Sequence, residues 1–397
     1  MDLTYLTADY AGIGGQLKAA PEDFFVEEIP LYTPSGQGQH IYVKIEKIGL
    51  STPAVARKIA QALGISPRSI GYAGLKDAQA VTRQTFSIDN VSIEAVQALN
   101  IPNVTVLEVQ RHRNKLKTGH LAGNRFELRV TNVDETAIPQ AKAIVDILAQ
   151  KGVPNFFDSQ RFGNRGNTGR LGQLIMQNNV PEFVAEFLGR PQTHESVPIQ
   201  AARQQVDEEN WTDALAIWPS KFSDERHVLE AIYKANGDVS VALQALNKKT
   251  KTFFISAFQA HLFNRMLAER VERIDQLEDG DIAYIHQKGA AFVVESAAIE
   301  QPRADSFEIS PAGPIFGTKT LQAQGRPGQR EEALLEEYHL LPEDFKIPGL
   351  KISGARRPYR FPVKNPKIGW NNGLMIAFEL PSGSYATRVL AEVMKPD

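Results

Sequence analysis

Residues 71–88 read GYAGLKDAQAVTRQTFSI, and the placing of this stretch decides the fold. A strand ends in the small residues Ala73 and Gly74, the chain presents Lys76-Asp77, and a strand resumes at Thr85. Small residues ahead of a charged pair suit a tight turn with close backbone approach, as at a ligand site. Read alone, the same turn is better taken as a loop whose lysine and aspartate are merely hydrated. Its surroundings have to decide between the two.

Working outward, the first 150 residues alternate strands and helices. His40–Ile48 carries Ile41, Val43 and Ile45 at the period of a half-buried strand. The helix TPAVARKIAQALG follows, with Thr52 as its N-cap, Pro53 in the first turn and Gly64 past its end. Further strands are predicted at 83–88, 105–110 and 125–130, then a helix from about Pro139 to Gln150. From about Asp158 the texture changes: the loop QRFGNRGNTGR opens a stretch that reads mainly as helices, at 171–177, 181–188, 211–216, 239–246 and 255–271. A β-like and loop region follows, then an acidic helix at 331–339. The chain closes with an alternating strand at 374–380, a turn at 381–383 and a helix from Ser384. There is no internal repeat and no low-complexity tract.

At 397 residues, two domains are the default expectation. Cysteine is absent, which removes disulfides, thiolate nucleophiles and Cys-based zinc sites and fits a reducing compartment. The N-terminus lacks the pattern of a signal peptide, and no run of 18 apolar residues suggests a membrane span, so a cytoplasmic protein is expected. The net charge of −2 argues against a general nucleic-acid binder, but the charge is segregated. Residues 111–120 hold four Lys/Arg and residues 351–370 hold six, both without an acid. Acids gather at 207–209 and between Glu331 and Asp344. Such segregation can present a basic cleft on a soluble chain.

Two more segments bear on chemistry. In HLAGNRFELRV, Asn124 and Phe126 alternate along a strand and so face one side, where an amide and a ring can read and stack a base. Residues 154–170, PNFFDSQRFGNRGNTGR, mix aromatics, Asn and Arg in a glycine-loosened loop, a composition suited to unpaired bases and phosphates. No P-loop, HExxH, Gly-x-Ser-x-Gly or dinucleotide fingerprint occurs. The eight His show no recurring metal spacing; His112 and His120, in the basic run, read as phosphate or surface contacts.

Taken together, these segments resemble the TruD family of tRNA pseudouridine synthases. The family's Gly-x-Lys-Asp turn followed by Ala-x-Thr-x-Gln stands here as Gly74, Lys76, Asp77, Ala80, Thr82 and Gln84. The other segments keep the family's order: LKAAPEDFFVEEI from Leu17, RHRNKLKTGHLAGNRF from Arg111, GVPNFFDSQRFG from Gly152, SAFQAHLFN from Ser256 and LPSGSYAT from Leu380. Two departures stand out. Phe156 replaces a common Tyr, and Asp158 replaces a common Gly.

The resemblance implies an α+β protein: a pseudouridine-synthase fold, with a mixed, mainly antiparallel sheet and flanking helices, interrupted by a large, mostly helical insertion. The catalytic domain is expected at 1–157 plus 356–397, and the insertion, at 158–355, as the other wall of an RNA-binding cleft. The substrate implied is a uridine in tRNA, at position 13 of the D-arm; no cofactor, metal or obligate protein partner is implied. Asp77 is the implied catalytic carboxylate, attacking C1′ or removing the 2′ proton, and Lys18 its cation. Lys76, adjacent in sequence, should point to the opposite face. Phe126 is the implied platform for the flipped base, with Asn124 and Gln84 orienting the loop or meeting the base edge and Lys76 also lining the substrate site. Arg161, Arg165, Arg356 and Arg357 are the expected phosphate contacts. The rival readings are a non-catalytic tRNA-binding protein on the same scaffold and a two-carboxylate hydrolase acting on a small nucleoside.

Overall fold

A computed structural model of the chain describes residues 4–395. The chain divides into two compact units. One runs up to Pro154 and resumes at Phe361, and the other spans Asn155–Arg360.

The first unit is built on β1 (Gln16–Leu17), β2 (Phe24–Pro30), β3 (His40–Ile48), α1 (Thr52–Leu63), β4 (Ile70–Tyr72), β5 (Val81–Asp89), α2 (Ile93–Gln97), β6 (Val104–His112), β7 (Leu121–Thr131) and α3 (Ile138–Lys151). Two C-terminal strands, Lys364–Trp370 and Leu374–Pro381, and the helix Ala386–Met394 complete it. Among the described residues these strands form a nine-stranded sheet, running from Lys364–Trp370 through Leu374–Pro381, β7, β2, β5 and β3 to β6. β1 pairs at its side with β7, and β4 with β5. β2 and β5 run parallel, Phe25 opposite Val81, while the other pairs are antiparallel. The protein is thus α+β with a mixed, mainly antiparallel sheet.

Period-2 burial explains the pairing. Ile41, Val43 and Ile45 of β3 are fully buried with Phe86 and Ile88 of β5 against Val55 and Ile59 of α1. At the other end, Phe24, Val26, Phe126, Leu128, Ile376 and Phe378 pack with Ile144, Leu148 and the helix Ala386–Met394. Burying side chains of this size stabilises by roughly 1.5–3 kcal/mol each. Ser51, rather than Thr52, caps α1: its hydroxyl accepts from the Ala54 N–H at 3.4 Å. Thr52 is the first helical residue, and its hydroxyl turns toward the sheet. Gly64 ends the helix in the left-handed region at φ 65°, a conformation that costs glycine nothing.

The second unit packs helices Thr168–Met176, Val180–Leu188, Val197–Asp207, Trp211–Ile217 and Ser223–Lys234 around Phe183, Phe187, Trp218 and Leu229. The long helix Lys248–Arg270 crosses Thr168–Met176 at Gly172, where a Cβ would lie 2.1 Å from the Phe254 carbonyl, so only glycine permits the approach. A four-stranded antiparallel sheet, Ala290–Val293, Ile282–Ile285, Ile309–Ile315 and Ala355–Pro358, belongs to the same unit. No helix among the described residues is long and apolar enough to cross a membrane.

Candidate active site

The turn between β4 and β5 is anchored at four points. The Gly74 carbonyl accepts from Gln84 Nε2 at 3.1 Å. The Lys76 N–H donates to Thr52 Oγ1 at 2.8 Å, and that hydroxyl donates to Gln84 Oε1 at 2.8 Å. Lys76 Nζ reaches inward to Asn124 Oδ1 at 2.8 Å and Glu28 Oε1 at 3.1 Å. Lys47 Nζ donates to the Asp77 carbonyl at 3.0 Å and also to the Leu50 carbonyl. Glu28 is itself held, taking the Thr85 N–H at 3.1 Å and Gln84 Nε2 at 3.3 Å. Such polar groups are tolerable in an interior only when hydrogen-bonded, and here they bond one another.

On this base the Asp77 carboxylate stands out, its side chain 47% exposed. Its carboxylate pairs with Lys18 Nζ and accepts the Gln79 N–H at 3.1 Å. Burial pushes the Asp77 carboxyl up, but the hydrogen bonds from Lys18 and the Gln79 N–H outweigh it and hold the group below its ordinary value. Lys18 follows β1 with φ 58°, a left-handed conformation unusual for a residue with a side chain. Its ammonium lies 4.4 Å from the Phe24 ring centroid, and Phe24 meets Phe126 edge-on at 6.4 Å. Cation, carboxylate and two aromatic rings therefore form one continuous cluster.

The expected site residues fall into three groups. Asp77, Lys18 and Phe126 gather in that cluster. Phe126, only 6% exposed, is also a core residue, tilted on Phe378 at 5.5 Å. Asn124, Gln84 and Lys76 stand behind it. The expectation that Lys76 and Gln84 touch substrate needs correction: Gln84 is fully buried and the Lys76 side chain 7% exposed, with their polar groups spent on the turn. Gln84 orients the loop, the other role foreseen for it. Asn124 is buried too, its Oδ1 occupied by Lys76.

The arginines of the second unit form the third group. Arg356 is corrected outright: its side chain is 3% exposed and grips Glu331, Nη1 to Oε1 at 2.5 Å and Nη2 to Oε2 at 2.8 Å. Arg165 is likewise turned inward, donating to the carbonyls of Glu186, Gly189 and Arg190 at 2.7–3.2 Å and so closing a helix end. Neither presents its guanidinium to phosphate. Arg161 donates to Ser256 Oγ at 2.6 Å and lies over Phe253. Arg357 lies 4.2 Å from the Phe157 ring centroid and reaches Asn155 Oδ1 at 2.5 Å. No cluster of His, Asp and Glu side chains suited to a metal occurs among the described residues.

The turn thus keeps two lysines inside and exposes one carboxylate. The family model described as tRNA pseudouridine synthase D (TruD) matches residues 1–393. The chain belongs to the TruD family. It is 42% identical to the tRNA pseudouridine synthase D of Syntrophotalea carbinolica over 99% of both chains. It is also 42% identical to that of Geobacter sulfurreducens, over 99% of this chain and 97% of the relative. A TruD crystal structure from Methanosarcina mazei superposes with a TM-score of 0.90 at 29% identity, covering 100% of this chain and 97% of the other. Within residues 74–84, Lys76 and Gln84 hold the anchored turn, and Asp77 is what it presents. Four members of the site escaped the sequence reading, namely Lys47, Thr52, Glu28 and Phe24. Lys47 left a signal, since it sits at the buried parity of β3 behind Ile41, Val43 and Ile45.

Proposed function

We propose that the chain isomerises a uridine of tRNA to pseudouridine, at position 13 in the D-arm, with Asp77 as the reacting carboxylate. The observation that carries this reading is the clasp on Asp77: a half-exposed carboxylate kept ionised by Lys18, in a member of this family. The reaction breaks the N1–C1′ bond, turns the uracil and joins C5 to C1′. The proton on C5 leaves and N1 gains one, so no oxidant or reductant enters. Asp77 acts either by attacking C1′ or by taking the 2′ proton to give a glycal. Both routes start from the charged carboxylate, which is the form Lys18 favours.

The target base first leaves its stack, at a cost on the order of a few kcal/mol. In this reading Phe126 is its platform, with Phe24 as edge-on support and as the surface on which Lys18 rests. Asn124 and Lys76 fix the turn beside it. Arg161 and Arg357 are retained as phosphate contacts. Arg113, Lys117, Lys364 and Lys367, exposed in the basic stretches of the first unit, replace Arg165 and Arg356. Contacts of this kind position RNA without reading its sequence.

The test is conversion of a uridine-labelled tRNA transcript by the full-length protein. Pseudouridine should form in the wild-type transcript and be lost when position 13 carries cytidine. Asp77→Asn should form none, with tRNA affinity within about twofold, because the amide keeps the shape and loses the charge. Activity retained by Asp77→Asn overturns the assignment.

A further inference from the structure

Lys47 is the one lysine of β3 placed on the strand's core-facing side. It follows Ile41, Val43 and Ile45 at a spacing of two and is, like them, fully buried. Core stability alone favours a fourth aliphatic residue there. A buried ammonium forfeits its hydration, and replacing buried charge by apolar side chains is often neutral or stabilising. The nearest bonding groups of Lys47 are two main-chain carbonyls, Leu50 O and Asp77 O. The first lies just ahead of α1, and the second belongs to the residue that carries the reacting carboxylate.

We infer that Lys47 is a positioning residue for the isomerisation: it fixes the Asp77 main chain, and through it the carboxylate, without touching RNA. The other anchors of the turn act at Gly74 and Lys76, ahead of the reacting residue. Lys47 holds Asp77 itself, and by bonding Leu50 O it ties that residue to the start of α1. The facing charged groups fit this arrangement. Asp77 and Lys76 face it from the turn and Glu28 from β2, so an ammonium here sits among two carboxylates and one like charge. Burial drives the Lys47 amine down to about 8, Asp77 and Glu28 working against that and Lys76 with it. The residue therefore stays largely protonated near neutral pH despite its burial.

The inference rests on the reading of Asp77 as the reacting group, so Asp77→Asn is measured in parallel. Full-length Lys47→Met keeps the aliphatic stem and removes the ammonium; Lys47→Gln keeps one donor. Single-turnover pseudouridine formation, tRNA affinity and melting temperature are followed for each. A loosened carboxylate predicts a rate loss on the order of 100-fold for Lys47→Met. Affinity should stay within about twofold and the melting temperature within a few degrees, and Lys47→Gln should recover part of the rate. An unchanged rate in Lys47→Met, with Asp77→Asn inactive, overturns the role of Lys47 alone. Activity in Asp77→Asn overturns both readings. Rate and affinity falling together, or failure of both Lys47 variants to fold, shows a residue that merely supports the core and also overturns the inference.

Discussion

The turn at residues 74–77 and the arginine-bearing segments of the second unit look alike in sequence: both set cations among glycines and polar residues. Their structures differ in where the charge is spent. Around the turn, Lys47 and Lys76 are consumed inside, and the Asp77 carboxylate is left half-exposed with Lys18 as its cation. In the second unit, Arg165 and Arg356 are consumed inside and leave nothing comparable behind; they close a helix end and neutralise Glu331. The lesson is that a charged motif acquires a function through what its internal bonds leave exposed. The charges themselves serve scaffold and site alike.

The sharpest break of this comparison is Arg356→Met. Glu331 is pushed up by burial, with Arg356 opposing that rise. Removing the arginine strands a buried carboxylate, which costs about 3–5 kcal/mol. Urea unfolding should show that loss, while tRNA affinity of the folded protein and its salt dependence stay as they were. A weaker salt dependence with unchanged stability would return Arg356 to the phosphate contacts. Next in size is Lys18→Met. Without the ammonium, burial dominates and the Asp77 carboxyl rises. Activity needs the ionised form, so the acid limb of the pH–rate profile should move to higher pH. The rate near neutrality should fall by about 100-fold, equivalent to roughly 2.7 kcal/mol. An acid limb that stays in place would show that Lys18 does not set the charge on Asp77.

Much of the frame was legible because it rests on periodicity and punctuation. β3 lies at His40–Ile48 as its alternation predicts, and Gly64 ends α1 as expected. The helices Val197–Asp207 and Ser223–Lys234 were not foreseen, since their buried faces are narrow and interrupted by Arg203 and polar residues. The stretch at 239–246 is helical as expected, but as a 3-10 turn over Val239–Val241 running into one α-helical turn at Ala242–Ala245. In the site, the order of segments pointed to Asp77, Lys18 and Phe126. The direction of Arg165 and Arg356 was not legible, because their partners, Glu186 to Arg190 and Glu331, are set by tertiary packing. Thr52 shows the same limit in small: one residue's shift of the cap frees its hydroxyl for the turn.

A smaller effect probes that hydroxyl. Thr52→Val leaves the Lys76 N–H and Gln84 Oε1 without their shared partner, a cost of about 1–3 kcal/mol. The rate should drop by about tenfold, because the turn loses one anchor while three remain. An unchanged rate beside lowered stability would separate the anchoring of Lys76 from the chemistry at Asp77.

The finest distinction concerns the charge on Lys47. Its amine titrates at about 8 in the folded chain against an ordinary value of 10.5. Between those values the unfolded chain binds more protons than the folded one, so stability rises with pH across that window. Below it the difference is constant, and the charged form is the one whose burial is costly. Lys47→Met has no such group, so the difference between the two proteins follows the Lys47 proton. Wild-type protein should therefore gain about 1 kcal/mol on the variant between pH 7.5 and 9. Paired urea unfolding at the two pH values reads this directly. A constant gap would mean that the folded chain holds the Lys47 proton as firmly as the unfolded chain, its carbonyl and carboxylate neighbours fully offsetting the cost of burial.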